Sequence, residues 1–187
     1  MNAINALQNA VGTTAKKRIM VQAGEDENFR RFLYYALNPL LTYKVSEDTL
    51  RKSAQYDPRI TLVYTDIFEV CDALSAMKAV DNTTLYQVYG FLACAGAEER
   101  ELYIKLLSKT LRLGVTAKTV NLVFPGLIPE WEVQQAYPID KYPLKDGVWF
   151  SLTQKLNGVR ATLYRGQLVA RSGQPYKGLN HILRAVG

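Results

Sequence analysis

Phe150-Ser151-Leu152-Thr153-Gln154-Lys155-Leu156, followed by Asn157-Gly158 and then Val159-Arg160-Ala161-Thr162-Leu163-Tyr164, is the stretch that decides the fold class. Apolar and polar residues alternate there with period two, the pattern of a strand with one apolar and one polar face. Phe150 and Leu152 point one way, and Ser151, Thr153 and Lys155 the other; Val159, Ala161 and Leu163 then alternate with Arg160, Thr162 and Tyr164. Asn-Gly suits a tight hairpin because both residues accept positive φ. Arg165-Gly166 predicts a second turn, into a third short strand over 167–171.

Upstream the period becomes that of a helix. Phe29, Phe32, Leu33, Ala36 and Leu37 recur on one face and stop at Asn38-Pro39. Ile67, Val70, Cys71, Leu74 and Met77 repeat the stripe behind Thr65 as a cap. Leu85, Val88, Tyr89 and Leu92 do so behind Asn82 or Thr83, with Gly96 as the stop. Ile4, Leu7 and Val11 outline a weaker first helix, and Tyr103, Ile104, Leu107 and Leu111 one ending near Gly114. Each stripe must be buried against another, which predicts a bundle. Phe124-Pro125-Gly126 and the prolines at 129, 138 and 143 break the period and mark a linker. The expected fold is therefore α+β, with an N-terminal all-helical bundle over 1–129 and a partial antiparallel β meander over 130–187.

Composition narrows the chemistry. The chain has 187 residues and a single histidine, His181, so a Ser-His-Asp or Cys-His catalytic arrangement is disfavoured. Cys71 and Cys94 are too few for a disulfide scaffold and read as core residues. No apolar run approaches the roughly 20 residues of a membrane span, and the N-terminus lacks a secretory pattern, so a cytoplasmic protein with no membrane partner is expected. The net charge of +6 is unevenly spread. Residues 1–140 hold 15 Lys/Arg against 16 Asp/Glu, whereas 141–187 hold 8 against one, Asp146. From 102 to 129 there are four basic residues, Lys105, Lys109, Arg112 and Lys118, and no acid. Such asymmetry points to a polyanionic partner, most simply nucleic acid or nucleotide phosphate. Lys105, Lys109 and Arg112, spaced i, i+4, i+7, are expected on one helix face; a solvated outer face is the competing reading. Thr116-Ala117-Lys118-Thr119 follows, and helix-start amides beside Lys and Thr suit phosphate. Lys105, Lys109, Arg112, Thr116, Lys118 and Thr119 are thus the nucleic-acid-binding candidates.

The meander carries Lys155-Leu156-Asn157-Gly158-Val159-Arg160. A lysine ends a strand with Thr153 on its own face, a turn with glycine permits close backbone approach, and an arginine follows. An amine among other cations can lose its proton readily enough to act as a nucleophile, and an arginine beside it can grip phosphate. A solvated surface hairpin is the alternative.

Lys155 through Arg160 resembles the lysine-nucleotidyltransferase motif K-x-D-G-x-R of ATP-dependent DNA ligases, and Ala170-Arg171-Ser172-Gly173 resembles the family's next motif, S-R-x-G. Leu111-Arg112-Leu113-Gly114-Val115 through Lys118-Thr119, then Val123-Phe124-Pro125-Gly126-Leu127-Ile128-Pro129, looks like the junction in bacteriophage-type DNA ligases between a helical DNA-binding domain and the adenylation domain. The resemblance implies that 1–129 grips nicked double-stranded DNA and that 130–187 begins a nucleotidyltransferase domain. It implies Lys155 as the catalytic residue, forming a lysyl-AMP intermediate from ATP with Mg2+ as cofactor. Thr153, Gln154, Gly158, Arg160 and Arg171 become the nucleotide-binding candidates. Asn157 stands where the family usually has aspartate, keeping the shape but losing the charge, and Ala170 replaces the usual serine. The family's later motifs do not follow, so the chain is expected to be an inactive N-terminal fragment. Its open strand edge is expected to pack on 1–129 or to self-associate. A stand-alone DNA-binding module with a vestigial lysine motif, and an RNA ligase or capping-type nucleotidyltransferase, are the alternatives.

Overall fold

The computed structural model describes residues 2–55, 63–130, 140, 145–147, 149, 151, 157–164, 166–170 and 174–186. The chain divides into two compact units, Met1–Glu130 and Trp131–Gly187. The first is built from α1 (Asn2–Asn9), α2 (Thr13–Gln22), α3 (Glu27–Leu37), α4 (Glu47–Arg51) with a 3-10 turn (Lys52–Gln55), α5 (Ile67–Ala76), α6 (Asn82–Cys94), α7 (Ala97–Leu107) and α8 (Ala117–Asn121). Its packed pairs are α1 with α2, α2 with α8, α3 with α5, α4 with α7, and α6 with both α7 and the 3-10 turn.

Side-chain caps set several of the helix starts. Asp26, Ser46, Asp66, Asp81 and Thr116 each accept a backbone N–H of the first turn. The caps of α5 and α6 are therefore Asp66 and Asp81, not Thr65 and not Asn82 or Thr83. Asp66 Oδ1 takes the N–H groups of Phe68 and Glu69 at 2.7 and 2.8 Å, while Glu69 reaches back to the N–H of Thr65 at 2.7 Å. Gly96 is the N-cap of α7. The end of α6 is closed instead by Arg100, whose guanidinium donates to the carbonyls of Leu92, Ala93 and Ala95 at 2.8, 2.9 and 3.1 Å. Helix α2 has no counterpart in the sequence reading because a lysine, Lys16, takes a buried place on its inner face beside Met20.

Leu7, Leu33, Tyr43, Leu50, Val70, Leu74, Leu92 and Leu106 are buried together in one core. The stretch at 124–128, expected to open a linker, belongs to it: Ile128 is only 1% exposed. Asn121 holds it there, accepting from Ile128 N at 2.9 Å and donating to Ile128 O at 2.8 Å. A proline-glycine turn breaks the helix without ending the core.

In the second unit β1 (Thr162–Tyr164) and β2 (Gln167–Val169) form an antiparallel pair with Thr162 opposite Val169 and Tyr164 opposite Gln167. Gly166, at φ 75°, supplies the left-handed residue of the connecting turn. An isolated antiparallel bridge joins Val169 to Pro175, and α9 (Asn180–Val186) follows. The architecture is α+β. Of the three expected strands, the first falls almost wholly outside the described residues. Val159 and Ala161, expected to continue its partner strand, are exposed and not in a strand. Burial falls on Leu168 and Val169 instead.

Candidate nucleic-acid interface

The three cations expected along one face of α7 do not share it, because the helix ends at Leu107. Thr110 N donates to Lys105 O at 3.0 Å and Lys109 N to Leu106 O at 3.1 Å, the paired bonds of a Schellman turn. Lys109 takes the left-handed position of that turn at φ 58°, where glycine is usual. Its side chain consequently turns into the fold. Nζ donates to the carbonyls of Tyr35, Ala36 and Asn38 at 2.8, 3.4 and 3.2 Å, closing the C-terminus of α3, and lies 4.9 Å from the centre of the Tyr43 ring. Burial pushes its ammonium down to a pKa of about 8.

Lys105 remains on α7 but is paired, 3.2 Å from Glu101. Glu101 also receives Arg51 of α4 at 2.9 and 3.0 Å, and these hydrogen bonds hold its carboxyl down at about 2. Arg112 lies beyond the helix and is exposed.

Thr116, Lys118 and Thr119 sit around α8. Thr116 Oγ1 accepts from Thr119 N at 3.2 Å, and the two hydroxyls are 3.1 Å apart. Both threonines are thus engaged in capping, while Lys118 is exposed. This segment is held against α2 by Lys16, which donates to Leu7 O at 2.9 Å and Leu113 O at 2.8 Å. That contact sets α2, which also carries Lys17 and Arg18, against the segment that carries Arg112 and Lys118. The sequence reading missed both α2 cations.

The catalytic candidate Lys155 and, of the nucleotide-binding candidates, Thr153, Gln154 and Arg171 lie outside the described residues. Gly158 and Arg160 are exposed, with the Arg160 carbonyl accepting from Tyr176 Oη at 3.2 Å. Among the described residues, and apart from its chain neighbours, no atom lies within 4 Å of where a Cβ on Gly158 would stand.

No protein-family model matches the chain. The DNA ligases of Enterobacteria phages T4 and T6 are each 22% identical to it over 186 residues, covering 91% of this chain and 37% of the ligase. The chain thus spans little more than a third of the length of these relatives. A solved structure named Pmar-Lig_PreS3 matches the fold with a TM-score of 0.67, at 20% identity, over 98% of this chain and 44% of its own. Over 91% of its length, then, the chain is similar in sequence to the DNA ligases of phages T4 and T6.

Proposed function

We propose that the chain forms the DNA-gripping part and the start of the adenylating part of an ATP-dependent DNA ligase that seals nicks in duplex DNA. The observation that carries this is the place of Lys155-Leu156-Asn157-Gly158-Val159-Arg160 within a chain that matches phage DNA ligases over 91% of its length. The unprotonated Lys155 amine attacks the α-phosphorus of ATP. A nitrogen–phosphorus bond forms as the bond to pyrophosphate breaks, and the amine proton leaves to solvent. AMP then passes to the 5′-phosphate at a nick, and the neighbouring 3′-hydroxyl displaces it to restore the phosphodiester. Arg160 and Arg171 contact the nucleotide sugar or the nick phosphate, where their charge stabilises the negative charge building there. Thr153 and Gln154 flank the base, and Gly158 leaves room for the nucleotide. Among the described residues no group of three or more His, Cys, Asp and Glu is placed to hold Mg2+. No step is assigned to it.

The test is incubation of the chain, with whatever follows Gly187 in its natural reading frame, with ATP labelled at the α-phosphate. Acid-labile label is expected on Lys155 and none on Lys155→Arg, since arginine stays protonated at neutral pH. Undiminished labelling of Lys155→Arg sinks the assignment.

A further inference from the structure

We propose that the phosphodiester backbone of duplex DNA is held on a ridge formed jointly by α2 and the 112–121 segment, with Lys17, Arg18, Arg112 and Lys118 as its cations. This deepens the DNA-binding reading above and rests on it. Residues 1–24 contain Lys16, Lys17 and Arg18 and no acid; residues 102–129 contain four basic residues and no acid. These two acid-free stretches, far apart in the chain, are neighbours in the fold. Lys16 ties the start of α2 to Leu113, and Gln8 Nε2 donates to Arg112 O at 3.4 Å. At the other end, a Cβ on Gly24 would stand 2.8 Å from Cε1 of Phe124. The segments therefore run side by side in the same direction.

Lys16 spends its charge on two carbonyls in the seam. A helix turns about 100° per residue, so Lys17 and Arg18 are carried progressively away from that seam toward solvent. Arg18, Arg112 and Lys118 are exposed and Lys17 partly so. No carboxylate pairs with any of the four among the described residues. Gln8, which reaches Arg112 O, also lines a hollow with Glu98, Glu101 and Lys105; Glu101 is committed to Arg51 and Lys105, and Glu98 is exposed. Thr13 and Thr14 are exposed, and their hydroxyls suit phosphate oxygens without selecting sequence. Val21 on α2 and Leu122 just after α8 are each 65% exposed.

The experiment measures binding of the 187-residue chain to a fluorescent duplex of about 20 base pairs at salt from about 50 to 200 mM. Each phosphate contact contributes about 0.9 to the slope of log affinity against log salt. Lys17→Ala with Arg18→Ala should flatten that slope by about 2, as should Arg112→Ala with Lys118→Ala. Lys52→Ala with Lys78→Ala, exposed cations elsewhere on the unit, should leave it unchanged. Circular dichroism confirms that each variant stays helical. A wild-type slope in Lys17→Ala/Arg18→Ala, with duplex still bound, overturns the ridge and leaves the DNA reading standing. No duplex binding by the wild type at low salt overturns both. Vesicles of phosphatidylcholine with phosphatidylserine supply the third arm: capture by them but not by duplex, lost in the α2 variant, assigns the ridge to a membrane surface and overturns the proposal.

Discussion

Gly114 shows how much one residue can be asked to do. At φ 66° its backbone is left-handed, and a Cβ there would collide with the Lys16 ammonium that joins α1, α2 and the 112–121 segment. Gly114→Ala therefore meets a backbone penalty of about 1–2 kcal/mol. It also displaces Lys16 from the carbonyls of Leu7 and Leu113, and each buried acceptor left bare costs about 1–3 kcal/mol. A loss of about 3 kcal/mol is expected in urea unfolding; a loss under about 1 kcal/mol would show that the seam reseats freely. Lys109 presents the opposite case. It too is left-handed, yet it is no glycine, and its side chain offsets the strain by closing α3 through three carbonyls. A lysine's place in a helical repeat predicts its direction only while the helix continues.

Between elements, α4 and α7 are joined by charge. Arg51 reaches Glu101 and Glu47, Lys105 reaches Glu101, and Thr110 donates to Glu47 at 2.8 Å. These groups are largely exposed, so the cluster's contribution is screened and modest. Its pH signature is nonetheless definite. The Glu101 carboxyl is held at about 2, below the ordinary 4.5, first by hydrogen bonds from Arg51. Above pH 4.5 the carboxyl is ionised in both folded and unfolded chains, and the stabilisation is complete. Between 4.5 and 2 the unfolded chain takes up a proton that the folded one refuses, so stability falls with pH. Glu101→Gln should lack that part of the fall: the urea midpoints of wild type and variant should differ most above pH 5 and converge toward pH 2. Parallel profiles would show that Arg51 does not hold the carboxylate. Helix ends carry the same lesson as the ion cluster. Arg100 caps α6 from the first turn of α7, an arrangement created only when the two helices meet.

For the whole molecule, the two units differ in how far they can stand alone. The core gathers residues from Ile4 to Ile128, all inside Met1–Glu130. Residues 1–130 expressed by themselves should keep their helical circular dichroism and melt in one cooperative transition. A broad, non-cooperative melt would mean that the core depends on the rest of the chain. The second unit offers two three-residue strands and a short helix among its described residues, and Leu163, on the face expected to be apolar, is 46% exposed. A two-stranded hairpin is marginal by itself. Residues 131–187 alone are therefore expected to be unstable in isolation, which bears on the expectation that this unit pairs with another copy.

Periodicity and composition, which are local, were legible from the residues alone. Stripes such as Phe29-Phe32-Leu33 and Ile67-Val70-Cys71 marked α3 and α5, Arg165-Gly166 marked the turn between β1 and β2, and 155–160 with 170–173 pointed to DNA ligases. Helix α2 was hidden because a buried lysine interrupts its apolar face, and its burial depends on carbonyls at Leu7 and Leu113 that only folding brings near. The direction of Lys109 was hidden because α7 stops at a turn whose partners lie on α3. The ridge of Lys17, Arg18, Arg112 and Lys118 joins stretches nearly a hundred residues apart. The lack of acid in 1–24 was readable, but not which cations would stand beside it. A charge acts through distance in space, and that distance is decided only when the apolar faces find one another.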